Sequence, residues 1–125
     1  MTSTILIVDD SGLGRKLALR CLKAAGLTPD TCFEAGNGME ALTILEENEI
    51  DLVVTDINMP RMDGIALVRA LNGGVGGIRV PVIIMSSVVE EGRLDDLGSL
   101  GVVAVVSKPL TPKSFVEPLT NLASA

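Results

Sequence analysis

Five short segments rich in β-branched or apolar residues recur along the chain, and four of them stop at a polar group. Ile5-Leu6-Ile7-Val8 stops at Asp9-Asp10, and Leu52-Val53-Val54 at Thr55-Asp56. Pro81-Val82-Ile83-Ile84-Met85 stops at Ser86-Ser87, and Val102-Val103-Ala104-Val105-Val106 at Ser107-Lys108. The fifth, Thr31 to Ala35, is shorter in its apolar content. Continuous apolar runs of this length read as strands buried on both faces of a sheet. Helical-period segments separate them. Strands alternating with helices imply a parallel sheet with right-handed crossovers and helices on both faces. The prediction is one α/β domain over residues 1–125 with five βα units.

The connecting segments carry their own signals. Ser11 can cap a first helix whose Leu13, Leu17, Cys21, Leu22 and Ala25 fall on one side, and Gly26 fits its stop. Asn37 with Glu40 resembles a capping box. The helix after it carries Met39, Leu42 and Leu45 and ends near Asn48. Asp63 can cap a third helix through Ile65, Leu67, Val68 and Leu71. Asn72 to Gly77 reads as a flexible loop. Glu90 to Leu100 reads as a weak helix, because Gly92 and Gly98 each disfavour it by about 1 kcal/mol relative to Ala. Thr111 caps a last helix with Pro112 at its first position, and Pro118 predicts an irregularity further in.

Composition excludes several chemistries. With 16 acids against 10 bases the net charge is −6, which argues against a nucleic-acid binder. Two Phe with no Trp or Tyr leave few surfaces for stacking bases. The absence of His excludes Ser-His-Asp and Cys-His catalysis and imidazole-ligated metals. Cys21 and Cys32 lack zinc-like spacing and read as reduced core residues. No apolar run approaches a membrane span and the N-terminus lacks a secretory signal, so the expected location is cytoplasmic.

In a parallel sheet Asp9, Asp10, Asp56, Ser86 and Lys108 all reach one edge, where open α/β sheets bind ligands. Adjacent strands lie about 4.8 Å apart, so these side chains can meet around one small group. Met59-Pro60 stiffens the loop after Asp56. Three carboxylates facing one ammonium are unfavourable unless a cation shares the site. Mg²⁺ fits best, being hard and able to bridge carboxylate to phosphate. A carboxylate that attacks phosphorus forms an acyl phosphate. Lys108 and the Ser86 hydroxyl suit the transferring phosphoryl oxygens.

Ile5 to Ser11, Asp56-Ile57-Asn58-Met59-Pro60 with Met62-Asp63-Gly64, Ser86 after its strand, and Lys108-Pro109 resemble the receiver domain of bacterial response regulators. The resemblance covers essentially the whole chain. It implies the flavodoxin/CheY-like (βα)5 fold with strand order 2-1-3-4-5. It implies phosphoryl transfer from a histidine kinase to Asp56. It implies Mg²⁺ held by Asp10, Asp56 and the Asn58 backbone carbonyl, with Asp9 assisting through water. Ser86 is then the switch hydroxyl, Lys108 the phosphoryl partner, and Lys108-Pro109 a cis peptide. The family often has an aromatic residue at the position of Val105, so an aromatic output switch is not expected here. Asn58-Met59-Pro60 and the lack of an output domain look most like stand-alone chemotaxis-type members. The implied partners are the kinase and a downstream protein on the face of the fourth predicted helix, the fifth strand and the last helix. Direct DNA contact and membrane binding are not expected, and the chain is expected to be a monomer or a phosphorylation-dependent dimer. It is expected to be a phosphoacceptor with slow autodephosphorylation, not a turnover enzyme.

Taken singly, these residues have ordinary readings: Asp9-Asp10 a turn, Ser86 a strand-end hydroxyl, Lys108 and Arg15 solvated charges. Three rival functions use the same parts. A dinucleotide-binding module would use Gly12-Leu13-Gly14 and Glu34, but Leu17 stands at the third glycine position and Asp9-Asp10 repel pyrophosphate. Against an aspartyl phosphohydrolase, Asp56-Ile57-Asn58 lacks the second acid expected as its proton donor. A phosphorylation-independent docking module would not need the full acidic set.

Overall fold

The computed structural model describes residues 3–57, 59, 62–72, 80–86 and 101–124. Five strands, β1 (Thr4–Val8), β2 (Thr31–Ala35), β3 (Leu52–Asp56), β4 (Val82–Ser86) and β5 (Val102–Ser107), form one parallel sheet in the order β2-β1-β3-β4-β5. The described helices are α1 (Gly12–Ala24), α2 (Gly38–Glu47), α3 (Gly64–Asn72) and α4 (Pro112–Ser124). Of the loop predicted at Asn72 to Gly77, Asn72 instead ends α3, and the rest of that loop and the predicted helix at 90–100 lie outside the described residues.

The central strands are apolar on both sides because each side has its own helix layer. Leu6, Val8, Val53, Val82 and Ile84 pack with Ala41, Leu45, Ile65, Leu67, Val68 and Leu71 of α2 and α3. Their neighbours Ile5, Ile7, Leu52, Val54, Ile83 and Met85 pack with Ala18, Cys21 and Leu22 of α1 and Phe115 of α4. The two-residue alternation of a strand thus splits each run between two cores. Phe115 is fully buried, and both cysteines are free thiols, Cys21 buried and Cys32 half-buried.

Local signals mostly behave as their chemistry requires. The Gly14 N–H donates to Ser11 Oγ at 3.1 Å, and Gly26 ends the first helix with φ of 111°. The Ala66 N–H donates to Asp63 Oδ1 at 2.8 Å, and the hydroxyls of Thr111 and Ser114 lie 3.0 Å apart at the start of α4. The last helix continues through Pro118.

Two expectations need correction. Leu13 and Leu17 share the helical face of Cys21 and Leu22 by spacing, yet they are 78% and 43% exposed, and Met39 on α2 is 53% exposed. The α1 stripe is wider than its contact with the sheet, so Ala18, Cys21 and Leu22 fill the interface. The capping box is also offset. Asn37 Oδ1 accepts from the Glu40 N–H at 2.9 Å, but the Glu40 carboxylate accepts from Gly36, not Asn37, at 2.7 Å.

Candidate functional site

The turn after β1 is fixed by bonds at three points. The Asp9 N–H donates to the Ala35 carbonyl at 3.1 Å, which ties the end of β1 to the end of β2. Asp9 Oδ1 accepts from the Ser11 N–H at 2.9 Å. The Asp9 carbonyl accepts from Arg15 Nη1 at 2.7 Å. Gly14 is required by close approach: a Cβ there would lie 2.9 Å from Asp9 Cγ. Gly12-Leu13-Gly14 therefore belongs to a helix that presses on a carboxylate, which removes the dinucleotide-loop reading.

Asp56 is the last residue of β3, and its Oδ1 accepts from the Ile57 N–H at 2.8 Å. Gly64 lets α3 begin directly against this backbone. Its N–H donates to the Ile57 carbonyl at 2.8 Å, and a Cβ on it would meet the Asp56 carbonyl oxygen and lie 3.0 Å from Ile57 Cα. Lys108 follows β5, with its N–H donating to the Ser86 carbonyl at 2.8 Å. Its ammonium reaches across β4 to Asp56 Oδ2 at 3.0 Å and stands 3.7 Å from Asp9 Oδ2. Ser86, the final residue of β4, is buried. The Lys108-Pro109 peptide is cis, as expected.

Oxygen atoms of Asp9, Asp10 and Asp56 all lie within 4.8 Å of one another. Asp9 and Asp56 are buried while Asp10 is exposed, so the cluster opens to solvent on one side. Burial pushes the Asp9 carboxyl above its ordinary value, and the neighbouring Asp56 charge and a hydrogen bond with Asp10 add to the rise. The Ser11 N–H and the Lys108 charge oppose it. Burial pulls Lys108 down, but its hydrogen bond to Asp56 and the charges of Asp56, Asp9 and Asp10 outweigh that and raise it. One ammonium facing three acids, all offering hard oxygens, is a donor set suited to a bound metal cation. A separate cleft of about 520 Å³, lined by Ile5, Leu27, Leu52 and Leu119, contains none of these groups.

The raised Asp9 pKa has a definite consequence for stability. The unfolded carboxyl ionises near its ordinary 3.8, the folded one higher. Stability therefore falls as pH rises through that window, and the deficit persists at neutral pH. Asp9→Asn keeps an oxygen for the Ser11 N–H and removes the charge. We expect a higher urea midpoint than wild type at pH 7 without divalent ions, and no advantage at low pH, followed by far-UV circular dichroism. An unchanged or lower midpoint at pH 7 would contradict the electrostatic account.

Five of the sequence-predicted residues, Asp9, Asp10, Asp56, Ser86 and Lys108, sit at this edge. Val105 is half-buried against the α2–α3 core. Asn58 lies outside the described residues, as do Ser87 and Val88. Sequence reasoning misjudged Arg15, which is bonded to Asp9 and Glu34 and not simply solvated.

A model of the response regulator receiver domain matches residues 5–120. The chain belongs to the response regulator receiver domain family. It is 32% identical to the chemotaxis protein CheY of Pseudomonas aeruginosa, with 94% of each chain covered. It is 35% identical to a protein-glutamate methylesterase/protein-glutamine glutaminase of Chromobacterium violaceum, over 93% of this chain but only 32% of that protein. Receiver domains thus occur both as nearly entire proteins and as parts of longer ones among these relatives. Chemotaxis response regulator CheY4 of Vibrio cholerae superposes with a TM-score of 0.79 at 24% identity, covering 98% of this chain and 99% of that one. That likeness confirms the receiver fold and strand order. Among the described residues, no helix is long and apolar enough to cross a membrane.

Proposed function

We propose that this receiver domain is switched by Mg²⁺-dependent phosphoryl transfer from the phosphohistidine of a sensor kinase to Asp56. The observation that carries the reading is the gathering of Asp9, Asp10 and Asp56 oxygens within 4.8 Å, with Lys108 Nζ 3.0 Å from Asp56. An Asp56 carboxylate oxygen forms the new bond to phosphorus. The phosphorus–nitrogen bond of the donor breaks, and its electron pair returns to the imidazole. The product is an acyl phosphate.

Asp10 and Asp56 would hold the metal, with Asp9 beside them and the Asn58 carbonyl added by family resemblance. When bound, Mg²⁺ supplies positive charge to the phosphoryl oxygens. Lys108 already stands at Asp56 and needs little movement to serve the same charge. The Ile57 N–H orients the nucleophilic carboxylate through its other oxygen. Ser86, at the end of the strand between Asp56 and Lys108, supplies the switch hydroxyl. With Val105 in place of an aromatic residue, the signal passes through backbone and helix displacement toward the predicted helix at 90–100, β5 and α4. A downstream protein in a chemotaxis-type pathway of the cytoplasm is the target that this reading favours.

The domain acts as a phosphoacceptor, not a turnover enzyme. With p-nitrophenyl phosphate and Mg²⁺ in excess, we expect no sustained release of p-nitrophenol. Many turnovers per chain, lost in Asp56→Asn, would instead establish an aspartyl phosphohydrolase and overturn this reading.

A further inference from the structure

We propose that Arg15 is a positioning residue for the metal site, fixing the Asp9–Asp10 peptide, and that Glu34 holds its guanidinium in place. The inference rests on the Mg²⁺ reading above and extends it to two residues outside the acidic cluster. Arg15 Nη1 donates to the Asp9 carbonyl at 2.7 Å, and Nε donates to Glu34 Oε1 at 2.9 Å. The Arg15 side chain is only 23% exposed. A planar guanidinium bonded at two nitrogens has little freedom left, so its orientation is set from β2.

The importance of the Asp9 carbonyl lies in what it controls. The N–H and the carboxylate of Asp9 are already tied to Ala35 and Ser11. The carbonyl belongs to the peptide that leads into Asp10. Asp10 is exposed, so core packing does not fix its direction. Arg15 sits one turn into α1, with its own N–H bonded to the Ser11 carbonyl at 3.0 Å, and holds that peptide from a rigid element. Arg15 and Glu34 cancel in charge, so the pair contributes orientation with little net field. Lys108 differs, because it faces the cluster carboxylates directly. Partners that orient metal ligands from outside the coordination sphere commonly change affinity by about 10–100-fold when removed.

Charge and geometry predict opposite signs, which makes the idea testable. Arg15→Met removes a positive charge near the cluster, and by charge alone should tighten Mg²⁺ binding. Loss of positioning should weaken it. Calorimetric titration of the full chain with MgCl₂ is expected to show binding by wild type and about tenfold weaker binding by Arg15→Met. The charge-neutral Arg15→Met/Glu34→Met chain is expected to stay equally weak. The Asp10 amide nitrogen resonance should shift in Arg15→Met without Mg²⁺, because its peptide carbonyl loses a donor. Unchanged or tighter binding by Arg15→Met, or wild-type binding by the double variant, would overturn the proposal. Should Arg15→Met fail to fold, unchanged affinity in Glu34→Met would overturn it, since Glu34 is half-exposed and dispensable for the core. Absence of Mg²⁺ binding by wild type would refute the metal reading itself, and this proposal with it.

Discussion

Lys108→Ala is expected to slow phosphorylation of the chain by about 100-fold, the cost of removing one preorganised charge donor from the proposed reacting centre, with Mg²⁺ binding retained. The ammonium lies 3.0 Å from Asp56 Oδ2 and 3.7 Å from Asp9 Oδ2. In the resting domain it offsets part of the cluster's negative charge. In the proposed reaction it would meet the charge gathering on the phosphoryl oxygens. Its removal takes away a competitor for the carboxylates, so Mg²⁺ affinity should hold or rise. The fold should lose about 1–2 kcal/mol, less than the roughly 3–5 of a fully buried pair, because the ammonium is partly solvated. That stabilisation is present throughout neutral pH. The folded Lys108 pKa lies above its ordinary 10.5, so the contribution is lost only as pH rises through that higher value. Acetyl phosphate labelling followed by mass measures the rate. A wild-type rate in Lys108→Ala would remove Lys108 from the chemistry.

Gly64→Ala is expected to be the most disruptive small substitution near the site, costing about 3 kcal/mol, at the upper end for inserting a methyl into packed structure. The new carbon would run into the Asp56 carbonyl and lie 3.0 Å from Ile57 Cα. Both obstacles are backbone, which cannot swing aside as a side chain can. The β3 end or the start of α3 must move, and either displaces the Asp56 carboxylate. Urea unfolding by circular dichroism should show the loss, since the chain has no Trp or Tyr for fluorescence. Labelling at Asp56 should fall with it. Wild-type stability would mean that the α3 start yields freely and does not brace Asp56.

Much of this site was legible because strand ends are conspicuous in sequence. Asp9, Asp56, Ser86 and Lys108 each follow an apolar run, and parallel pairing carries all four to one edge. Period-2 burial on both faces made those runs recognisable as central strands. The Arg15–Glu34 pair was not legible, since the residues are 19 apart on different elements and only the register of β1 with β2 brings them together. Gly14 and Gly64 were visible as glycines, but the carboxylate and the backbone they accommodate are tertiary neighbours. Leu13 and Leu17 fell within the helical stripe, yet periodicity gives a face and not the width of the surface that covers it. The Glu40 carboxylate chose Gly36 over Asn37 for a local reason: the turn from β2 presents that N–H 2.7 Å from it.

The most direct test is the intact mass of the chain after incubation with acetyl phosphate and Mg²⁺, measured beside Asp56→Asn. Wild type should carry a single phosphoryl adduct, absent when EDTA replaces Mg²⁺ and absent from Asp56→Asn. An adduct of equal yield on Asp56→Asn, or one indifferent to EDTA, would contradict it.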